Sequence, residues 1–252
     1  MQKKAFLFLV VVMAVCSAWA QVNFKTTDMR DFQYKHEASG GLRVQSNGFT
    51  LFGEYGWIRD MKRTRLLQIE YSYYLDYRQK LLDSRVQGGR KYYFGKQNNF
   101  HVIRLAYGFK RTIAEKADRS GVRLAVVFFG GASLGLLKPY YLNLLQNTSD
   151  SVPPQIKAER YSEGNADRFL NRNYITEAAP IRYGLNQIQP VAGLHMKTAL
   201  DFDWGKKDEF VKALEAGVMF DLYYKRLPIM VNNSNRFYQF AFYLSFQFGK
   251  RW

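Results

Sequence analysis

The sequence predicts an all-β chain: a transmembrane, antiparallel up-and-down β-barrel of eight strands with one long extracellular loop. Three observations carry this. In the last stretch, Tyr238, Phe240, Phe242, Leu244, Phe246 and Phe248 alternate with Gln239, Ala241, Tyr243, Ser245 and Gln247. A period of two gives a strand with two unlike faces, here one of large rings and one mostly small and polar. The chain holds 18 Tyr, 20 Phe and 4 Trp, yet its mean hydropathy is negative. That combination suits a barrel, whose strands alternate lipid-facing and lumen-facing residues, and not a helical membrane protein. Finally, short turns and longer connections alternate along the chain, as in barrels with one end in the periplasm and the other outside the cell.

The first 20 residues read as a cleaved signal peptide. Lys3 and Lys4 precede an apolar run from Ala5 to Val15, and Ala18-Trp19-Ala20 fits the small-x-small cleavage rule. The run is too short to span a bilayer. The single cysteine, Cys16, falls inside this leader, so the mature chain has no disulfide, thiolate nucleophile or cysteine-ligated metal. The net charge of +16, to which the leader adds only Lys3 and Lys4, favours anionic partners. An exported chain meets those in envelope lipids and polymers, not in nucleic acid.

Taken in order, Gln21 to Asp31 is a polar lead-in, and strand one runs from Phe32 to Gln45 with a bulge or break expected at Gly40-Gly41. Asn47-Gly48 signals a tight hairpin. Strand two, Phe49 to Arg59, sets Leu51, Tyr55 and Trp57 against Thr50 and Glu54. Strand three carries Leu67, Ile69, Tyr71, Tyr73, Leu75 and Tyr77 opposite Gln68, Glu70, Ser72, Asp76 and Arg78. A basic loop follows, then strand four, Phe100 to Lys110, and strand five, Gly121 to Leu136, which is apolar on both faces. Strands six, seven and eight are Val191 to Trp204, Val211 to Tyr224 and Phe237 to Gly249. Residues 138–189 lack strong alternation; Tyr140 to Leu145 and Ala166 to Leu170 read as short helices within a long functional loop. An even strand count puts both termini in the periplasm.

Volume decides which face points outward. An eight-stranded barrel has an interior just wide enough to be filled by side chains. Four to six large residues per strand cannot all enter it, whereas Ala125, Gly131, Ser133, Ala199, Gly217, Ala241 and Ser245 can. The chain thus resembles the small outer-membrane β-barrel proteins of Gram-negative bacteria, on the cleavage site, the alternating strands and the aromatic final strand ending at Phe248; its Ala-Gln junction and layout look like those of the Bacteroidota. The resemblance implies insertion by the barrel-assembly machinery, with Tyr238, Phe240, Phe242, Leu244, Phe246 and Phe248 as the assembly signal, and contact with outer-membrane lipid and lipopolysaccharide.

Candidate chemistry is sparse. Glu54, Glu70, Asp76, Arg104, Arg123, His195, Lys197, Asp201, Glu215 and Asp221 take inward positions and mix both signs, as a charge network that fills the lumen would. An acid/base site around His195 with Asp201 or Glu215 is the sharper alternative. No His-x-Ser pair, nucleophile elbow, Walker motif, dinucleotide motif or metal-ligand spacing occurs, so no cofactor is expected. Arg85, Arg90, Lys91 and Lys96 form a basic loop suited to lipopolysaccharide phosphate. The expected function is a non-enzymatic outer-membrane barrel acting as a structural or interaction subunit of an envelope complex, docking through its long loop. A small passive pore and a lipid-A-modifying enzyme are the alternatives.

Overall fold

The computed structural model describes residues 34–60, 62–116, 121–146, 155–205, 207–231 and 235–252. The leader, the segment Gln21 to Asp31 and the expected first residue of strand one, Phe32, lie outside the described residues.

Eight strands close into one antiparallel barrel: β1 (His36–Gln45), β2 (Gly48–Asp60), β3 (Arg63–Tyr74), β6 (Asn98–Ala114), β7 (Arg123–Pro139), β11 (Gln189–Asp203), β12 (Phe210–Tyr223) and β13 (Tyr238–Arg251). Chain neighbours pair throughout, and β1 closes the circle on β13 from Glu37↔Arg251 to Gln45↔Tyr243. The expected break at Gly40-Gly41 does not occur; pairing runs through Gly40↔Phe248 and Gly41↔Gln247. Glycine is needed there because a Cβ on Gly41 would stand 1.9 Å from the Phe246 carbonyl oxygen and 3.0 Å from the Phe52 ring. Strand three ends at Tyr74, earlier than its pattern suggests, since Leu75 and Tyr77 continue the alternation beyond the last paired residue.

The two faces of the barrel differ as the volume argument requires. On β13, Phe242 is 63 % exposed while Ala241 and Ser245 are 1 % and 0 % exposed. Leu42, Leu51, Ile69, Leu105, Leu194, Met196 and Phe248 extend this outward apolar surface around the barrel. Among the described residues no helix is long and apolar enough to cross a membrane.

The two ends are also unlike. At the end holding residue 252, three connections join strands by turns of at most eight residues. At the other end the β1–β2 turn is two residues, and the remaining connections build a folded cap. Within 75–97, β4 (Leu81–Leu82) pairs with β5 (Tyr92–Tyr93). Within 140–188, β8 (Tyr141–Leu145) lies between β9 (Ile156–Arg160) and β10 (Ile175–Ala178), beside the one-turn helix α1 (Ala166–Phe169). The helix expected at Tyr140 to Leu145 is therefore a strand: Leu142 and Leu144 are fully buried on one side, and both edges are paired. The cap has its own core of Tyr92, Leu142, Leu144, Phe169, Ile175 and Ala178. Below it, Leu227 and Ile229 from the 224–237 connection join Tyr74, Phe100, Leu137, Val191 and Tyr223 in an apolar plug.

Candidate functional site

Under the plug, the inward phase of the strands gathers a buried ionic network. Arg104 stands at its centre. Its Nε and Nη2 donate to the two oxygens of Asp221 at 2.9 and 2.7 Å, and its Nη1 donates to Glu70 at 3.2 Å and Ser72 at 2.5 Å. Asp221 also accepts from the Tyr74 hydroxyl at 2.8 Å and meets His195 Nδ1 at 2.9 Å. Glu70 accepts from Arg43 at 2.6 Å and from Lys197 at 3.3 Å. Lys197 also reaches Glu215 at 3.4 Å, which takes a 2.5 Å hydrogen bond from Tyr243. The Arg43 guanidinium is stacked between Phe52 and Tyr243, 4.8 and 4.5 Å from the ring centres. This charge-assisted, multiply bonded arrangement makes burial of so many charges tolerable.

A second group lies toward the end holding residue 252. Glu37 is held by Lys110 and Arg251 at 3.1 Å each, and Arg251 also binds Asp203 at 2.8 Å. Between the groups, Glu54 accepts from Gln68 at 2.9 Å and Gln247 at 3.1 Å. Asp201 is 2 % exposed, and its Oδ2 has no hydrogen-bond partner.

The structure thus brings Glu54, Glu70, Arg104, His195, Lys197, Asp201, Glu215 and Asp221 into the lumen. Asp76 and Arg123 are not part of it. Asp76 follows the end of β3 and turns back onto Arg78, 2.9 Å away, an ion pair that holds its carboxyl below the usual range. Arg123 begins β7 and pairs with Glu115 at 3.0 Å and Asp208 at 3.6 Å in the turns. Sequence reasoning left out Glu37, Arg43, Lys110, Asp203 and Arg251 as network members. Their signal was the same period of two: Glu37 and Arg43 share the polar phase of the first strand, and Arg251 continues that of the last beyond Gly249.

The four basic loop residues do not form one anion-binding patch. Lys96 is fully buried, which removes it from any phosphate contact. Its ammonium sits 4.5 Å above the Tyr93 ring and donates to Tyr73 and Gln79 at 3.3 Å each, and burial pulls its pKa down to about 8. Arg85 donates to the Asn173 carbonyl, Arg90 binds Glu177 and the Ala178 carbonyl, and Lys91 pairs with Asp83. Arg85 and Arg90 fasten the 75–97 connection to the 140–188 sheet, while Lys91 and Asp83 tie that connection to itself.

The His195–Asp221 pair is sealed from solvent on both sides. Among the described residues no cluster of three His, Cys, Asp or Glu side chains is placed to hold a metal.

The geometry defines a class: a closed eight-stranded barrel with an apolar exterior and a filled, ionic interior. No protein-family model matches the chain, and no curated protein matches it. Solved structures similar to it include Ail, the attachment invasion locus protein of Yersinia pestis, in complex with the heparin analogue sucrose octasulfate, at 10 % identity and TM-score 0.43, covering 88 % of this chain and all of that one. The Neisserial surface protein A is similar at 10 % identity and TM-score 0.40, covering 86 % of this chain and 96 % of that one. The N-terminal β-barrel domain of Pseudomonas aeruginosa OprF is similar at 9 % identity and TM-score 0.37, with the same coverage. Likenesses at that level say nothing about what this chain binds.

Proposed function

We propose that this chain is a non-enzymatic outer-membrane β-barrel that serves as a structural and interaction subunit of a cell-envelope complex, docking through its folded cap. Its outward rings face acyl chains, both termini lie in the periplasm, and Tyr238 through Phe248 form the strand read by the barrel-assembly machinery. The observation that carries this is the division between faces: apolar rings outside, and inside a paired ionic core closed above by the Leu227–Ile229 plug. Such a wall is stable in lipid and does not need water on either face. A lumen packed in this way favours a rigid support over a passive pore, and the sealed His195–Asp221 pair argues against lipid chemistry.

The cap is the part with freedom to recognise. It is a sheet with its own core, and its outer strand β9 has one unpaired edge among the described residues. Because Leu137 pairs with Gln189, residues 140–188 can be replaced by a short turn that keeps β7 and β11 in register. In crosslinking from intact outer membranes, the excised variant should insert and fold but lose the wild-type adduct. An unchanged adduct rejects cap docking. Stable single-channel steps in planar bilayers reject the closed lumen, and a folded, monodisperse chain in detergent-free buffer rejects the membrane reading.

A further inference from the structure

The outer face carries a cluster of cations that make no ion pair among the described residues. Arg63 on β3 and Arg111 on β6 are cross-strand partners, both outward and exposed. Arg65 follows two residues along β3 on the same face, opposite Phe109. Residues directly opposite on one face of a sheet have their Cβ atoms about 5 Å apart, and like charges so placed repel. Among the described residues none of these three guanidinium groups has an ion pair or a hydrogen-bond partner. Asp60, in register with Arg63, makes no ion pair with it and accepts from the Lys62 backbone, and Glu115 holds Arg123. Across the barrel at the same end, the outward cation Lys250 has Glu209 at 2.9 Å.

The position of the cluster indicates what supplies the missing anion. Trp57 and Phe109 flank Arg65 in register on the outward face, Leu67 and Tyr107 follow above them, and all four belong to the apolar belt. Arg65 therefore stands in the last full row of the belt and Arg63 and Arg111 stand beyond it, toward the end holding residue 252, with the exposed Ile113 past Arg111 on β6. In a bilayer this is headgroup depth, where aromatic girdles sit. A planar guanidinium matches two oxygens of a phosphate, and a pair of them a fixed distance apart makes a clamp. We infer that Arg63, Arg65 and Arg111 form a binding site for the phosphate of an anionic phospholipid in the leaflet on the side of the chain terminus.

This inference rests on the membrane reading, which fails separately if the chain folds without detergent or lipid. The test is native mass spectrometry of the refolded chain in detergent, with phosphatidylglycerol and phosphatidylcholine of identical acyl chains added in equal amounts. Wild type should retain phosphatidylglycerol in preference, and Arg63→Gln with Arg111→Gln should lower that preference roughly tenfold through loss of charge-assisted bonds. Arg85→Gln, at the other end, should leave it unchanged. Equal retention of the two lipids by wild type, undiminished preference in the double variant, or displacement of the lipid by inorganic phosphate alone would overturn the site. Urea unfolding in vesicles adds an independent reading. In phosphatidylcholine, Arg111→Gln should match or exceed wild-type stability because a repulsion is gone, and it should gain less than wild type on transfer to phosphatidylglycerol. An equal gain for both proteins also overturns the site.

Discussion

Replacing Arg104 by Met tests whether the lumen is dry and paired. In the native barrel this guanidinium is fully buried and meets Asp221 through two bonds, Glu70 through one, and Ser72 and Tyr74 through one each. Methionine keeps most of the length and removes the charge. Glu70 keeps Arg43 and Lys197, so its loss is small. Asp221 keeps only the Tyr74 hydroxyl and His195, and becomes a buried carboxylate without a permanent cation. Leaving one partner of a buried pair uncompensated costs about 3–5 kcal/mol. Asp221→Leu should cost a similar amount by stranding Arg104, but the double variant should recover about 2 kcal/mol or more of the summed losses, because the two side chains are in direct contact. The assay is equilibrium urea unfolding in phospholipid vesicles followed by tryptophan fluorescence, with the cycle closed by both single variants and the double. A loss of under about 1 kcal/mol for Arg104→Met, the scale of solvent-exposed pairs, would show a hydrated lumen and refute the reasoning.

Three further outcomes follow from other parts of the structure. Lys96 loses its proton at about pH 8 in the folded state against an ordinary value of 10.5, so between these the unfolded chain binds more protons and stability rises with pH, by at most about 3 kcal/mol; Lys96→Met should abolish the rise in urea titrations at pH 7.5 and pH 9, a window that ends before the tyrosines of the unfolded chain ionise at about pH 10. Gly41→Val should prevent β1 from closing on β13, since its Cβ would strike the Phe246 carbonyl, and the loss of heat-modifiable migration on gels reports it. Leu244→Arg, midway along the outward face of β13, should cost about 2–4 kcal/mol in vesicles, and a negligible cost there would mean that this face does not meet acyl chains.

Most of the eight barrel strands were legible because they have a polar or ionic side and an apolar side for most of their length, a contrast visible from residue types alone and missing only from β7, which is apolar on both faces. The pattern misled where alternation outlasted pairing: Leu75 and Tyr77 look like strand residues, and Asp76 was placed in the lumen on that basis. The cap was not legible. Five residues such as Tyr141–Leu145 are too few to separate a strand from a helix by period, and the partners of β8 lie in other parts of the connection. The members of the ionic core could be read one strand at a time, but their pairing could not. Arg104 and Asp221 are 117 residues apart, and they meet only because the stagger of a closed barrel brings non-neighbouring strands face to face across the lumen.

The seam between β1 and β13 has a consequence for how the barrel comes into being. The wall is completed by β13, the last strand of the barrel in chain order, and Arg251 near its end fastens Glu37 near the start of β1. Until that final hydrogen-bonded seam forms, Glu37 lacks one of its two cations, and the edges of β1 and β13 are open to other chains. Closing the barrel therefore requires both strands at once, with their edges kept from competing strands until they meet each other.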